Sequence, residues 1–479
     1  MKEAALAFET ITSLSARIRA GQLSAVKLVE ELLGRIGALD VQLHSFIRIL
    51  PERALAQAQA AESALRSGAD PGALCGIPYA AKDLFDVKGV PTTAGTHLLA
   101  DNIAAEDSNV VRRLGAAGMV LLGKTHTVQF AYGAAGLNHD HGTPHNPWHP
   151  APHAPGGSSS GSAVAVASGL VPMALGTDTG GSVRVPAALC GIVGLKTTIG
   201  RVSRSGVYPL SWTLDSVGPL TRSVEDAALV YQALQGADPR DASTTGIAPH
   251  DALRGLKDGV MGLRIAFGET VFFDEVDPEV EKTVRESGQV FRSLGAQVAS
   301  IAIPEAAAAW AEEKRPLLIP AEACAVNRQF LDKHLDALDP VIGPRMLTGR
   351  TLSAPDYFAL LRRYAALQEE IKWTLRDVDA FIVPTTMAPA WPLARIDANS
   401  ATYLDYNMRV HRNTGLGNLL NLCGVSVPCG FTSEGLPVGL MIYAKPFAED
   451  MALRVAYAYE QATEWHTRRP DFAWIGKGA

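Results

Sequence analysis

The sequence has few cysteines, little excess charge and no long apolar run. Its five cysteines, at positions 75, 190, 324, 423 and 429, show no paired spacing, which indicates reduced thiols. A net charge of −6 gives no basic footprint, so we expect no direct contact with nucleic acid. No stretch approaches the roughly 20 apolar residues that span a bilayer, and the first residues contain no secretory apolar region. These absences predict a cytoplasmic protein that does not bind membranes.

What is present fits an ordinary globular enzyme. The 479 residues are 47% hydrophobic and 19% charged, and helical and strand patterns alternate along the chain. The patterns predict a helix capped by Ser24, a buried strand at 120–122, a long helix over about 355–376 and a last helix over 447–465. Such alternation is typical of an α/β fold, and we expect an α/β/α sandwich.

Two glycine–serine turns and one lysine are the chemically informative part of the sequence. The turns are Gly156-Gly157-Ser158 and Gly180-Gly181-Ser182, whose serines lie 24 positions apart. Lys82 lies upstream, in the segment GIPYAAKDLFDVKGVPTTAG. A serine hydroxyl becomes a nucleophile only when a base lies within hydrogen-bond reach. Two serines on glycine turns and a lysine on an apolar approach therefore indicate acyl transfer with a lysine base.

The chemistry places demands on the lysine and on the second turn. Lysine can act as a base only when neutral, so burial must lower its pKa from about 10.4. The uncharged residues 76–81 suit this, provided that Asp83 and Asp86 point away from the lysine. The glycines before Ser182 allow successive backbone N–H groups to converge on one point, as an oxyanion hole requires.

The segment 156–197 resembles the signature of the amidase signature family. It reads GGSSSGSAVAVASGLVPMALGTDTGGSVRVPAALCGIVGLKT, and the resemblance extends from residue 76 to residue 447. It implies that Ser182 is the nucleophile, that Lys82 is the base and that Ser158, on a cis peptide bond, relays the proton between them. It also implies an oxyanion hole made by backbone amides, which are those of Thr179, Gly180, Gly181 and Ser182.

The same resemblance adds to the predicted fold. It implies that the sheet of the sandwich is large and mixed and that 1–479 forms a single amidase domain. Within that domain we expect a helical N-terminal region over about 1–70, a signature core over about 71–235 and a substrate-pocket and C-terminal region over about 260–470. Asp178 and Arg184 match motif positions too, and we interpret both as supports of the turn.

Two other serine motifs give competing readings. Residues 157–161 match G-x-S-x-G, which would make Ser159 the nucleophile of an α/β-hydrolase, but that motif needs a strand just before it and prolines break this segment. Ser24 and Lys27 match S-x-x-K, but they lie at the start of an amphipathic helix, where Ser24 fits an N-cap.

A crowded group of histidines suggests a metal site. The group consists of His139, His141, His145, His149 and His153, four of them spaced by four residues. On a helix that spacing would place them on one face, but prolines at 144, 147, 150 and 152 exclude a helix. We therefore predict no metal and no cofactor, and interpret the segment as a polar loop at the rim of the active site.

The predicted function is hydrolysis of the C–N bond of small apolar or aromatic amides, with carbamates and esters as further substrates. Tyr132, Tyr208 and Trp212 flank the signature and are candidates for the substrate pocket, with core packing as the alternative. A homodimer is compatible with this reading. A catalytically silent scaffold is the third hypothesis, and the intact catalytic positions argue against it.

The alternative function is that of the glutamine-hydrolysing A subunit of a tRNA-dependent amidotransferase, which the C-terminal segment 424–447 resembles. Two differences weaken it. Residues 123–133 lack the two carboxylates found there in that protein, and the aspartate that would hold glutamine's ammonium group falls near His411. Arg345 is a candidate for the arginine that would hold the substrate carboxylate.

Overall fold

Eleven strands form one mixed sheet in the computed structural model, which describes residues 6–475 of the chain. The strand order is β1-β3-β2-β4-β6-β5-β10-β11-β9-β7-β8. Within it, β2 runs parallel to β3 and β4, β7 runs parallel to β8 and β9, and the other neighbours are antiparallel. The strands are β1 Phe46–Ile49, β2 Pro78–Lys82, β3 Val120–Thr125, β4 Met173–Asp178, β5 Val193–Lys196, β6 Ser216–Thr221, β7 Arg264–Gly268, β8 Gln297–Ile301, β9 Ala380–Pro384, β10 Cys423–Phe431 and β11 Pro437–Ala444.

The helices of the described chain precede, separate and follow these strands in sequence. They are α1 Ile11–Arg19, α2 Ala25–Leu43, α3 Pro51–Arg66, α4 Asn109–Ala116, α5 Ser160–Ala167, α6 Arg184–Cys190, α7 Val224–Leu234, α8 Pro278–Ser293, α9 Pro304–Ala311, α10 Arg315–Val326, α11 Arg328–Lys333, α12 Ile342–Leu347, α13 Ala354–Thr374, α14 Leu393–Ile396, α15 Ser400–Leu419 and α16 Glu449–Gln461. Within residues 6–475, no helix combines the length and apolarity needed to cross a bilayer.

Both faces of the sheet are buried. Along β9, Ile382 belongs to the largest apolar cluster, whereas its neighbours Phe381 and Val383 belong to a second cluster. Successive side chains of a strand point to opposite faces, so the two clusters cover opposite sides of the sheet. The predicted α/β fold with a large mixed sheet in one domain is therefore confirmed. The regional boundaries within it stay a prediction.

Most of the predicted elements form where their patterns indicate. Ser24 caps α2, with its hydroxyl accepting a hydrogen bond from the Lys27 amide, so the S-x-x-K match is an N-cap. The predicted last helix is too long, because α16 ends at Gln461 and a separate 3₁₀ turn contains Trp465. The twenty-residue helix α15 was not predicted, because buried polar residues such as Asn413 interrupt its apolar periodicity.

Candidate active site

Strand β2 places Lys82 inside the molecule. The strand lies between β3 and β4, all five of its residues are buried, and Lys82 ends it. The Lys82 Nζ atom lies 2.8 Å from Ser158 Oγ and 2.8 Å from Thr177 Oγ1 on the neighbouring strand β4. Burial lowers the pKa of Lys82 to about 7, against the opposing influence of Asp215 and Asp178. The ammonium group thus gives up its proton near neutral pH.

The two carboxylates that follow Lys82 in sequence point away from it, as expected. Asp83 pairs with the buried Lys124 at 2.6 Å and also accepts hydrogen bonds from Thr93. Asp86 accepts a hydrogen bond from Thr92 Oγ1 at 2.8 Å. The carboxylates that raise the pKa of Lys82 are those of Asp215 and Asp178, which lie far from it in sequence. Sequence spacing therefore did not indicate them.

The first glycine–serine turn holds Ser158 against Lys82. The peptide bond between Gly157 and Ser158 is cis, and the Ser158 side chain is fully buried. The next residue, Ser159, precedes α5, donates from its hydroxyl to the Thr177 carbonyl at 3.3 Å and from its amide to the Ser182 carbonyl at 3.2 Å. Ser159 therefore joins the two turns and is not presented to solvent as a nucleophile elbow would require.

The second turn, between β4 and α6, is built around Asp178. Its carboxylate accepts hydrogen bonds from the amides of Gly181 and Val183 at 2.9 and 3.1 Å, and from the Arg184 guanidinium at 2.8 and 3.0 Å. Although burial alone would raise the pKa of Asp178, the Arg184 guanidinium beside it holds that pKa well below its ordinary value. Both residues support the turn that presents Ser182, as predicted.

The amides of this turn are not equivalent. The Gly181 amide, predicted to be an oxyanion donor, is bound to Asp178 and is therefore not free for that role. Within residues 6–475, the amides of Thr179, Gly180 and Ser182 donate to no protein acceptor. Gly181 has φ +126°, and a Cβ atom there would lie 2.1 Å from Thr414 Oγ1, so only glycine fits. At Gly180 the nearest atom, His411 Cδ2, would be 3.8 Å away.

A narrow cavity of about 60 Å³ opens at Ser182. Apolar side chains such as Leu210 and Ile319 form part of its wall, and the described lining residues include no carboxylate. Tyr132 lines the cavity, with the Arg345 guanidinium 4.3 Å from the centre of its ring.

The other two predicted pocket residues lie elsewhere. Tyr208 donates to Asn327 Oδ1 at 2.8 Å and stacks on Phe130 at 6.0 Å between ring centres. Trp212 is 55% exposed and borders a different cavity, which includes Thr177 and Asp215.

Arg345 and His411 both line the Ser182 cavity. His411 lies on α15, where its Nδ1 atom contacts the Asn407 carbonyl oxygen at 2.8 Å. Burial lowers the pKa of His411 to about 4, so its ring is neutral at physiological pH. The cavity thus carries one permanent positive charge, at Arg345, and a neutral imidazole.

Three polar residues of the site carried no signal in the sequence. Asp215, before β6, accepts a hydrogen bond from Thr179 Oγ1 and so fixes the start of the second turn. Thr177 is the second partner of Lys82, and the Asn407 carboxamide accepts a hydrogen bond from the Ala134 amide at 2.7 Å in the cavity wall. An alignment of relatives is the kind of information that could have found them.

The histidine-rich loop forms separate contacts. His139 bridges the carboxylates of Asp339 and Asp397, while His149 and His153 pack with ring centres 4.0 Å apart. In the part of the chain that the structure describes, no three His, Cys, Asp or Glu side chains come together in a way that could hold a metal ion.

Comparison with protein families and curated sequences shows which proteins this chain is similar to. The profile of the Amidase family matches residues 27–453. The chain is 38% identical to the A subunit of glutamyl-tRNA(Gln) amidotransferase from Gloeobacter violaceus, over 97% of this chain and 98% of that protein. Other curated relatives with the same name are 37–38% identical.

Solved structures give a second comparison. The native peptide amidase of Stenotrophomonas maltophilia superimposes with a TM-score of 0.85 at 32% identity, over 97% of this chain and 98% of that chain. The A subunit of glutamyl-tRNA(Gln) amidotransferase from Thermotoga maritima superimposes with a TM-score of 0.79 at 31% identity, over 95% of both chains. Both the sequence and the backbone are thus similar to amide-processing proteins over nearly their whole length.

Proposed function

The chain belongs to the amidase signature family, and from that premise we propose that it hydrolyses the C–N bond of an amide through an acyl-enzyme on Ser182. One observation carries this proposal. Lys82 Nζ and Ser158 Oγ lie 2.8 Å apart, fully buried, beside the turn that presents Ser182. A buried lysine with a pKa of about 7 is a base of suitable strength at neutral pH.

The proposed cycle moves one proton back and forth. Ser182 Oγ attacks the amide carbonyl carbon, its proton passes to Ser158 Oγ, and the Ser158 proton passes to neutral Lys82. When the C–N bond breaks, Lys82 returns the proton through Ser158 to the leaving nitrogen. Water then attacks the ester by the same route, which releases the acid and restores Ser182.

The relay requires contact between the two serine hydroxyls. Among the described residues, no hydrogen bond joins Ser158 Oγ to Ser182 Oγ. Catalytic hydrogen bonds are often long without substrate and shorten when it binds. We therefore expect the Ser182 hydroxyl to turn toward Ser158 in the substrate complex. The developing oxyanion would be held by the free amides of the second turn, those of Thr179, Gly180 and Ser182.

The curated relatives favour a more specific candidate, the glutamine-hydrolysing A subunit of a tRNA-dependent amidotransferase. They cover nearly the whole chain, and they support this candidate better than a stand-alone amidase. The cavity offers one feature in its favour, since Arg345 could hold the carboxylate of glutamine. This candidate requires partner subunits, because those relatives are named as subunits.

A second candidate, a stand-alone amidase, is favoured by His411. A neutral imidazole stands where the resemblance places the aspartate that would hold glutamine's ammonium group, and no carboxylate lines the described cavity. Burying an ammonium group without a negative partner costs several kcal/mol. The cavity therefore suits amides without an α-ammonium group, whether apolar, aromatic or carboxylate-bearing, and the peptide amidase is similar in backbone.

Substrate pairs that differ in one charge separate these candidates. We would measure amine or ammonia release by the purified chain from glutamine and from 4-carbamoylbutanoate, which is glutamine without its ammonium group. An aliphatic amide, an aryl anilide and an aryl carbamate complete the series, and Ser182→Ala is the control.

Each outcome has a distinct meaning. Ser182-dependent turnover of carbamoylbutanoate, anilide or carbamate, with glutamine left intact, would establish the stand-alone amidase. Preference for glutamine, alone or only after partner proteins are added, would establish the amidotransferase candidate. Absence of Ser182-dependent turnover under all these conditions would contradict the proposed chemistry and return the scaffold hypothesis.

A further inference from the structure

Helix α13, Ala354–Thr374, presents two large aromatic side chains to solvent. Its inner face is anchored in the protein by Leu360, Leu367 and Ile371, which are buried. On its outer face, Phe358 is 64% exposed and Trp373 is 73% exposed. Large exposed apolar side chains elsewhere in residues 6–475, such as Met261, occur singly on other segments. The two rings lie about 22 Å apart along the helix, near its two ends, and the exposed residues between them complete one long outer face.

The outer face of α13 has a symmetric sequence about the Ala365–Ala366 bond. Arg362 and Glu369 lie at equal distances from this point, and Phe358 and Trp373 lie at equal, larger distances. At 3.6 residues per turn, these six residues fall within about 100° of arc, on one face of the helix. The two alanines at its centre are exposed and leave space for a close approach.

This symmetry matches what a twofold axis requires. In an antiparallel pair of identical helices, each residue meets the residue at the mirrored position on the other copy. Arg362 would then face Glu369 of the second copy, Phe358 would face Trp373 of the second copy, and the alanines would meet at the axis. We propose that α13 is a dimerisation surface on which two copies of this chain pair antiparallel.

The charges on this face are available for such a pairing. Arg362 forms no ion pair within residues 6–475, and Glu369 contacts only Lys372 of its own helix, at 2.6 Å. Arg363 and Glu370, at the edge of the face, lie 3.6 Å apart. Lys372 shares the C-terminal half of the helix with Glu369 and Glu370, so that half is not purely acidic. The complementarity rests on the mirrored residues Arg362 and Glu369, whose opposite charges meet when the face is reversed, and this favours a second copy over an unrelated partner.

The dimer is expected to be reversible. A helix of 21 residues is about 32 Å long, and one such pair is small beside the roughly 1,200–2,000 Å² of a stable interface. The test is therefore sedimentation of the purified chain over a wide range of concentrations. Wild-type protein should pass from monomer to dimer, and R362E or E369R alone should weaken the dimer about tenfold, because each places like charges opposite one another.

The double variant R362E/E369R gives the decisive comparison, because it restores opposite charges across the axis. It should dimerise as the wild type does, and R328E, a charge reversal on the exposed side of α11, should change nothing. A wild-type monomer at all concentrations, or a double variant no better than the single ones, would overturn the proposal. A dimer formed through another surface would give this second result, because the charge variants of α13 would then leave its affinity unchanged.

Cysteine cross-linking tests the position of the axis independently. All five native cysteines are buried, so a cysteine at position 366 would be the accessible thiol. Mild oxidation of Ala366→Cys should give a disulfide-linked dimer on a non-reducing gel. Ala60→Cys, on the exposed side of α3, should remain monomeric. Equal cross-linking of both variants would contradict the proposed interface, whatever the activity of the chain proves to be.

Discussion

At the scale of single residues, Lys82 determines how the rate should depend on pH. Burial lowers its pKa to about 7, and the carboxylate of Asp215 opposes that effect. In the proposed cycle the neutral form of Lys82 is the base, so kcat/KM should rise with pH and reach half its plateau near pH 7. Asp215→Asn removes a negative charge that favours the protonated form, and the rising limb should move to lower pH.

The quantity to measure is the midpoint of the pH–rate profile. The maximal rate is not suitable, because Asp215 also accepts a hydrogen bond from Thr179 Oγ1, and the loss of that contact would change the rate for a separate reason. Asp336→Asn removes an exposed charge, which the solvent screens, and should leave the midpoint in place. If the midpoint stays unchanged in Asp215→Asn, then Lys82 is not the group that titrates.

At the scale of elements, His139 joins the histidine-rich loop to two helices. Asp339 accepts a hydrogen bond from the Val341 amide at 2.8 Å at the start of α12, and Asp397 follows α14. His139 Nε2 lies 3.0 Å from Asp397 Oδ1, and Nδ1 contacts Asp339. Arg345 lies on α12 and lines the Ser182 cavity, so this bridge helps to hold a helix that forms part of the cavity wall.

The bridge should contribute stability only while the imidazole is charged. The hydrogen bond to Asp339 raises the pKa of His139 to about 9 from an ordinary value near 6.5. A raised pKa means that the contribution is complete below about pH 6.5 and is lost as the pH rises through about 9. His139 is partly exposed, so we expect His139→Gln to cost about 1 kcal/mol at low pH.

Thermal unfolding of wild type and His139→Gln near pH 6 and near pH 10 measures this difference. The variant should be less stable near pH 6 and equal to the wild type near pH 10. Substrate assays near pH 6 should show a raised KM with little change in kcat, since α12 carries Arg345 and none of the three residues proposed to be catalytic. A stability difference that is the same at both pH values would contradict the bridge as described.

At the scale of the whole molecule, the sequence predicted the features that depend on short stretches of the chain. The glycine–serine turns and Lys82 are short motifs that stand out in the sequence, and the fold places Lys82 against Ser158, while their catalytic roles stay a prediction. The alternation of helices and strands predicted the layers of the fold. Strand order and the cavity depend on contacts between residues more than a hundred positions apart, such as the hydrogen bond of Arg345 to the Tyr132 carbonyl, and no pattern in one sequence reports them.

Long-range contacts also tie distant segments together through buried carboxylates. Glu460 of α16 accepts a hydrogen bond from the Val224 amide at the start of α7, at 2.8 Å. Within α7, Asp226 accepts hydrogen bonds from the amides of Ile11 and Thr12 at 3.0 and 3.3 Å. Burial raises the pKa of Glu460 to about 8 and that of Asp226 to about 6.

A carboxyl group with a raised pKa destabilises the fold as the pH rises, because the folded state must either hold its proton or bury a charge. For Glu460 this loss should begin near pH 4.5 and be complete above about pH 8. Glu460→Gln keeps an oxygen for the Val224 amide and cannot ionise. Denaturant unfolding should show the variant gaining roughly 2–4 kcal/mol on the wild type between about pH 5 and pH 8. Glu464→Gln, which removes an exposed carboxyl group on the following turn, should have the stability of the wild type at each pH. If plots of stability against pH are parallel for the wild type and Glu460→Gln, then Glu460 does not titrate in this range.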